Sequence, residues 1–170
     1  MDLKKFIRDV PDFPVKGIVF KDITPLLLNH EAFSTAVDSM TKPFEGEKID
    51  KILAIESRGF IFGAPMALKL GAGLIIARKQ GKLPWKKVKK TYTLEYGEEI
   101  LEVHQDAIEK DDRILIVDDL IATGGTARAM AELVEEMGGK VAGCAFLVEL
   151  TFLEGRKLLK GYRVETIIKY

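Results

Sequence analysis

The chain has 170 residues, a length that favours one domain with a substantial core. Its 26 basic and 26 acidic side chains cancel, which argues against a protein-wide positive field for nucleic acid or anionic membranes. Neither a signal peptide at the charged start Met1–Arg8 nor a run of about 18 apolar residues is present, so we expect a cytoplasmic protein. The single cysteine, Cys144, excludes an internal disulfide and is expected in the core.

The first 40 residues differ in pattern from the rest of the chain. They contain Pro11, Pro14 and Pro25, followed by a predicted helix over Glu31–Met40, without alternation of strands and helices. We therefore predict that residues 1–40 form a cap on the remainder of a single domain.

The segment after residue 50 alternates between apolar runs and helical periodicity. Two amphipathic helices are predicted, over Phe62–Leu70 and Thr126–Met137, the second closed by glycines. The fully apolar runs are typical of buried parallel strands; they are predicted over 51–55, 73–77, 113–117 and 141–148, with a last strand over 164–168. This alternation predicts an α/β fold with a doubly wound, mainly parallel sheet.

Residues 84–104 interrupt that alternation. Tyr92, Leu94 and Tyr96 alternate with polar residues, Gly97 permits a turn, and a second apolar stretch follows. The pattern predicts a β-hairpin that leaves the sheet and is suited to a flexible lid.

The chemically most informative segment runs from Ile114 to Thr126. A buried strand is followed by Asp118 and Asp119 and then by a loop of small residues that opens a helix. Backbone N–H groups at a helix N-terminus bind phosphate, and carboxylates at the carboxyl end of a strand accept hydrogen bonds from vicinal hydroxyls or from the waters of magnesium. The segment therefore predicts a site for a phosphorylated sugar such as ribose 5-phosphate.

Other interpretations of this segment are less consistent with its residues. A tight turn with a carboxylate capping the helix explains one aspartate but not two acids followed by Thr-Gly-Gly-Thr. Neither Gly-Lys-Ser/Thr nor Gly-x-Gly-x-x-Gly is present, which argues against ATP and NAD.

The segment Val117–Thr126 resembles the phosphoribosyl pyrophosphate motif of the type I phosphoribosyltransferases. Further motifs occur in order and at similar spacing, and they resemble the branch of this family that acts on adenine. These motifs are Pro11–Pro14, Gly17–Pro25, Glu56–Phe60, Ala77–Pro84 and Tyr92–Gly97.

The resemblance implies roles for individual residues on the sugar side of the site. The 5-phosphate loop is expected at Ala122, Thr123, Gly124, Gly125 and Thr126, and the ribose contacts at Asp118 and Asp119. The pyrophosphate contacts are expected at Ser57, Arg58, Lys79 and Lys82. Without the resemblance, Lys79, Lys82 and the neighbouring Arg78 fit solvated charges at a strand end equally well, and the role of Arg78 stays open.

The resemblance also implies how the base is held and how its proton is handled. Adenine is expected to stack on Phe20 and to meet the backbone of Val19 and Lys21, although many relatives carry arginine at the position of Lys21. Without the resemblance, Phe20 fits a core anchor for the cap better than a residue that stacks on a base. Glu95 is expected to act as a proton donor or relay for the purine. The alternative interpretation of Glu95 is an exposed carboxylate on the hairpin.

Taken together, the resemblance implies transfer of the phosphoribosyl group from phosphoribosyl pyrophosphate to adenine, giving AMP and pyrophosphate with Mg²⁺ as cofactor. A homodimer is expected from the family. The alternatives are a transferase for hypoxanthine, guanine or xanthine, and a non-catalytic sensor of phosphoribosyl pyrophosphate. The basic run Lys86–Lys90 fits a solvated loop better than a patch that attracts the polyanion.

Overall fold

The chain forms two compact units in the computed structural model, which describes residues 1–94 and 97–170. The first unit comprises residues 1–39 and the second residues 40–170. The boundary falls within one residue of the predicted end of the cap at residue 40. Glu95 and Tyr96 lie outside the described residues.

The first unit contains a small antiparallel hairpin that the sequence analysis did not predict. Strand β1 covers Arg8–Pro11, strand β2 covers Val19–Asp22, and Arg8 lies opposite Asp22. The strands have four residues each and lack a clear alternation of apolar and polar side chains, so their sequence carries little strand signal. A 3-10 turn precedes them, and helices α1 (Thr24–Leu28) and α2 (His30–Thr41) follow, with α2 containing the predicted helix.

The second unit is built on a seven-stranded sheet within the described residues. Two helices of twelve residues each connect its strands, α3 over Gly59–Leu70 and α4 over Gly125–Glu136. The strands are β3 (Lys51–Ile55), β4 (Gly73–Lys79), β5 (Lys87–Thr93), β6 (Glu98–His104), β7 (Arg113–Ile121), β8 (Lys140–Glu149) and β9 (Val164–Lys169).

The strand order is β5-β6-β4-β3-β7-β8-β9. The five strands from β4 to β9 in this order pair in parallel, whereas β5 and β6 pair antiparallel with each other and β6 pairs antiparallel with β4. The predicted mainly parallel sheet is therefore confirmed. The predicted hairpin over 84–104 is also present as β5 and β6, and it extends the β4 edge of the sheet.

The two helices pack on opposite faces of this sheet. Leu53 and Ile55 of β3 belong to the same buried cluster as Met130 and Leu133 of α4. Ala54, which points to the other face of β3, lies against Gly63 of α3. Because successive strands are added first on one side of β3 and then on the other, the sheet is doubly wound, with its switch point between β3 and β7.

The strand β7 is longer than predicted, which corrects the position of the two aspartates. It extends to Ile121, so Asp118 and Asp119 lie within the strand rather than after it. The extension follows from pairing, because β8 continues alongside and Ile121 lies opposite Glu149. The prediction stopped at Val117 because acidic residues are uncommon in strands.

Two smaller expectations concern the core and the membrane. Cys144 is fully buried, as predicted, and burial raises the pKa of its thiol to about 12. Among the described residues, no helix combines the length and apolar character needed to cross a membrane.

Candidate active site

The site lies where the carboxyl ends of β3 and β7 meet. The chain leaves β3 through Glu56 and Ser57, joined by a cis peptide bond, and α3 begins at Gly59. An added Cβ at Gly59 would lie 2.9 Å from the carbonyl oxygen of Val117 and 3.0 Å from Oδ1 of Asp118. A side chain at this position would therefore push the first turn of α3 away from β7.

An ion pair joins the two strand ends. Nε of Arg58 donates to Oδ2 of Asp119 at 2.5 Å, and the Asp119 side chain is only 6% exposed whereas that of Arg58 is 46% exposed. The buried carboxylate is thereby compensated, while the guanidinium retains a surface open to a ligand.

The neighbouring aspartate has a different electrostatic environment. Burial and the charge of Asp119 raise the pKa of Asp118 well above its ordinary value, and Arg58 opposes this shift only partly. Oδ1 of Asp118 also accepts the backbone N–H of Asp119 at 2.9 Å. Asp118 therefore holds a proton more readily than an ordinary aspartate, whereas Asp119 is engaged by Arg58, which suits the two carboxyl groups to different hydrogen bonds with a pair of sugar hydroxyls.

The predicted phosphate loop forms the start of α4. Gly124 occupies the cap position with φ 86°, and the backbone N–H groups of the first helical turn begin there without partners inside the helix. A cavity of about 200 Å³ is lined by the loop residues 122–126 together with Asp118, Asp119 and Arg58. The alternative of a carboxylate cap is wrong, because the cap residue is a glycine.

Close backbone packing holds this loop in place. An added Cβ at Gly124 would lie 2.4 Å from the carbonyl oxygen of Gly155, and one at Gly155 would lie 2.3 Å from the carbonyl oxygen of Ala122. Sequence analysis did not identify Gly155, because the contact joins segments about 30 residues apart and no local pattern marks it.

A second cavity of about 420 Å³ contains the predicted pyrophosphate contacts. Lys79 ends β4 and Lys82 follows it, so both reach the edge at which β3 ends. This cavity shares Arg58, Asp118 and Asp119 with the phosphate cavity, and it is lined in full by Glu56, Ser57, Arg58, Lys79, Lys82, Asp118 and Asp119. The structure thus brings all the predicted sugar-side and pyrophosphate-side residues to one edge of the sheet.

The cations of this second cavity are paired with carboxylates that sequence analysis missed. Glu56 accepts hydrogen bonds from Nζ of Lys82 and from the backbone N–H of Lys79, at 2.7 Å for the latter. Burial acts to raise the pKa of Glu56, but these hydrogen bonds outweigh it and lower the pKa. Arg78 lies 3.6 Å from Glu56 and lines neither cavity, which favours a structural role for it.

The hairpin supplies a second such carboxylate. Nζ of Lys79 lies 2.8 Å from Oε1 of Glu99 on β6, and the hydroxyl of Tyr92 on β5 donates to Oε2 of Glu99 at 2.6 Å. The position of Glu99 opposite Tyr92 follows from hairpin register, which the sequence did not define. Tyr92 is buried, as packing across the hairpin predicts.

The basic run Lys86–Lys90 was expected to be a solvated loop, and that prediction is wrong for four of its five residues, which lie on a strand. Residues 87–90 lie on β5, and Nζ of Lys90 is 3.1 Å from Glu132 of α4 and also pairs with Glu136. These ion pairs anchor the base of the hairpin on α4. Lys90 is therefore a structural contact.

The predicted base contacts lie in the first unit, on β2. The Phe20 ring packs edge-on against Phe13, with centroids 5.2 Å apart, and Nζ of Lys21 pairs with Asp9 at 2.7 Å. Val19 is exposed. Contact of these residues with adenine stays a prediction, as does the role of Glu95, which lies outside the described residues.

The packing of Gly155 yields a testable prediction about the phosphate loop. Gly155→Ala should displace the backbone of Ala122 and Gly124 and weaken binding of ribose 5-phosphate about tenfold or more, measured by calorimetry. Gly161→Ala is the control for an added methyl group, because Gly161 has open space around it and only its positive φ of 97° disfavours alanine. It should lower stability by about 1 kcal/mol and leave binding unchanged. Equal binding by wild type and Gly155→Ala would contradict this account of the loop.

Comparison with known proteins identifies the family to which the chain is similar. The profile of the phosphoribosyl transferase domain family matches residues 27–168. A curated adenine phosphoribosyltransferase from Thermotoga sp. (strain RQ2) is 59% identical over 170 residues, with both chains covered in full.

Solved structures agree in fold. The crystal structure of adenine phosphoribosyltransferase from Thermoanaerobacter pseudethanolicus is 52% identical, with a TM-score of 0.96 over 99% of this chain and 98% of that chain. The enzyme from Saccharomyces cerevisiae, complexed with an imino-altritol bisphosphate and adenine, is 41% identical, with a TM-score of 0.91 over 98% and 96% of the two chains. The resemblance inferred from the motifs is thus confirmed, and the chain belongs to the phosphoribosyl transferase family and, within it, to the adenine phosphoribosyltransferases.

Proposed function

We propose that this protein transfers the phosphoribosyl group of phosphoribosyl pyrophosphate to adenine and releases AMP and pyrophosphate. The observation that carries the proposal is the pair of contiguous cavities, which share Arg58, Asp118 and Asp119. One cavity suits a phosphate, the other a polyphosphate, and two carboxyl groups lie between them, as the three parts of phosphoribosyl pyrophosphate require. Adenine as the acceptor is supported by the adenine phosphoribosyltransferases to which the chain is similar over its full length.

The sugar half would bind at the start of α4. The N–H groups around Thr123 to Thr126 and the positive end of the helix would hold the 5-phosphate. Asp118 and Asp119 would accept hydrogen bonds from the ribose hydroxyls. Because Asp119 already pairs with Arg58, ribose binding and pyrophosphate binding involve one connected set of charges.

The pyrophosphate side would stabilise the leaving group. As the bond to the anomeric carbon breaks, negative charge accumulates on pyrophosphate while the sugar acquires oxocarbenium character. The cavity in which that charge would develop is lined by Arg58, Lys79 and Lys82. Ser57 also lines it, and its backbone would contact the pyrophosphate. Such groups accelerate the reaction to the extent that they bind the transition state more strongly than the ground state.

Mg²⁺ is the cofactor that this chemistry requires. It commonly binds through one or two carboxylates together with substrate phosphates, and Asp118 and Asp119 beside a polyphosphate cavity fit that pattern. We infer that the ion is held mainly by phosphoribosyl pyrophosphate, with the aspartates contacting its waters. When bound, it would neutralise charge on the pyrophosphate oxygens.

The proposed acceptor contacts are the residues of β2 and Glu95. Phe20 would stack on adenine, and the backbone of Val19 and Lys21 would hydrogen-bond to the edge of the base. Backbone recognition tolerates lysine where many relatives carry arginine. Glu95, which falls between β5 and β6 in the sequence, would exchange a proton with the purine as the new glycosidic bond forms.

We also propose that the protein is a cytoplasmic homodimer. Leu74 and Ile76 of β4 lie on the sheet face that carries α3, and both are about two-fifths exposed. Leu68 of α3 is 86% exposed. A second copy would cover these apolar side chains, so sedimentation should give twice the mass of 19.0 kDa at micromolar concentration, and a monomer would contradict the dimer.

The proposed reaction is tested by offering adenine, hypoxanthine, guanine and xanthine separately with phosphoribosyl pyrophosphate and Mg²⁺. AMP and pyrophosphate should form in equal amounts with adenine only, and omission of Mg²⁺ should abolish turnover. Turnover of an oxopurine in preference to adenine would overturn the acceptor assignment. Binding of phosphoribosyl pyrophosphate without turnover of any base would indicate a sensor.

The role of Glu95 has its own test. Glu95→Gln should bind phosphoribosyl pyrophosphate with unchanged affinity but lower kcat by about 10²-fold or more, because proton transfer to the purine is lost. Glu98→Gln is the matched control, since Glu98 is exposed on the same hairpin. Unchanged turnover in Glu95→Gln would remove Glu95 from the mechanism.

A further inference from the structure

Lys79 is held differently from the other cations of the pyrophosphate cavity. Arg58 pairs with Asp119, and Lys82 pairs with Glu56. Both of these carboxylates line the cavity themselves. Lys79 instead pairs with Glu99, which lies on the hairpin arm β6 and does not line that cavity. Glu99 therefore holds the ammonium of Lys79 from outside the cavity.

Glu99 has a second partner that ties it to the phosphate loop. The hydroxyl of Tyr92 donates to Oε2 of Glu99 at 2.6 Å, and the Tyr92 oxygen lies 3.4 Å from Oγ1 of Thr126, which is placed to donate to it. The carbonyl of Thr93 also lies beside Gly125. A connected path of polar groups thus runs from the 5-phosphate loop through Tyr92 and Glu99 to Lys79.

The Tyr92 hydroxyl acts as a stable donor in this path. Tyr92 is 9% exposed, and burial together with the Glu99 carboxylate raises its pKa to about 12. The hydrogen bonds from Lys79 and then from Tyr92 lower the pKa of Glu99 despite partial burial. Glu99 is consequently a carboxylate with two donors, of which only Tyr92 would remain if Lys79 moved to a ligand.

We propose that Glu99 and Tyr92 are positioning residues that set the availability of Lys79 for pyrophosphate. Glu99 competes with the leaving group for the Lys79 ammonium. When Lys79 leaves Glu99, the hydrogen bond from Tyr92 still stabilises the Glu99 carboxylate, so less free energy is needed to break the Lys79–Glu99 ion pair. The proposal rests on the proposed function, which assigns Lys79 to pyrophosphate. It adds a determinant of how strongly the substrate is held and how readily pyrophosphate leaves.

The proposal predicts opposite effects from two neighbouring changes. Glu99→Gln removes the competing charge, so KM for phosphoribosyl pyrophosphate should fall about threefold to tenfold, the size expected for a partly exposed charge-assisted hydrogen bond. Tyr92→Phe leaves Glu99 with one donor fewer when Lys79 departs, so the same KM should rise by a similar factor. The KM for adenine should stay within about twofold in both variants.

Direct binding gives a second readout that does not depend on turnover. Titration of inorganic pyrophosphate with Mg²⁺ by calorimetry should show tighter binding for Glu99→Gln and weaker binding for Tyr92→Phe. In a Lys79→Met background, Glu99→Gln should give less than a twofold gain, because Glu99 acts through Lys79. Thermal unfolding of each variant separates these effects from loss of fold.

Matched controls address general effects of charge and of hydroxyl loss. Glu98→Gln removes an exposed charge one residue away, and Tyr162→Phe removes a hydroxyl that donates to Glu135 at 2.9 Å. Both should leave the pyrophosphate affinity within about twofold of wild type.

The results separate this proposal from the proposed function. An increase in KM for phosphoribosyl pyrophosphate in both Glu99→Gln and Tyr92→Phe would reduce these residues to supports of the hairpin and overturn the proposal. An equal gain in Glu98→Gln would do the same. A wild-type protein that forms no AMP would instead contradict the proposed function, and the pyrophosphate titrations would still decide whether Glu99 competes for Lys79.

Discussion

The ion pair between Arg58 and Asp119 is the contact on which the rest of the site depends. It joins the segment after β3 to the strand β7, the two elements on either side of the switch point of the sheet. Asp119 is 4% exposed, and a charge so deeply buried is costly unless it is paired. The pair therefore gives the buried carboxyl group of Asp119 a partner while it holds the guanidinium of Arg58 at the boundary of both cavities. Loss of either partner would affect the phosphate side and the pyrophosphate side together.

The charges around this pair determine which contacts a polyanion must replace in order to bind. Lys82 is compensated by Glu56 and Lys79 by Glu99, so each cation is held by a carboxylate in the ligand-free protein. A ligand must then exchange these ion pairs for its own, and the net gain depends on the difference between two sets of contacts. Affinity in such a site is adjusted by the carboxylates as much as by the cations.

The sequence predicted the parallel sheet well because its signals are local. The apolar run over 51–55 matches β3 residue for residue, and the Thr-Gly-Gly-Thr loop does open a helix. Errors arose where pairing rather than composition determines structure. The strand β7 continues through Asp118 and Asp119 because β8 lies alongside, and the short hairpin of β1 and β2 has too few residues for an alternating pattern to be recognised.

The site was predicted in part by chemistry and in part by resemblance. Two acids followed by a small-residue loop indicate a sugar phosphate on physical grounds, whereas the assignment of Lys79 and Lys82 to pyrophosphate required the family motif. Glu56, Glu99 and Gly155 could not be found from sequence, because each acts through a partner 20 or more residues away. Hairpin register and loop packing decide those partners.

The central claim is that one ligand spans both cavities across the Arg58–Asp119 pair. A crystal structure with phosphoribosyl pyrophosphate and Mg²⁺ tests it most directly. The account predicts the 5-phosphate on the backbone of residues 123–126, the ribose hydroxyls at Asp118 and Asp119, and the pyrophosphate against Arg58 and Lys79, with Lys79 turned away from Glu99. A 5-phosphate bound away from this loop, or a pyrophosphate outside the second cavity, would contradict it.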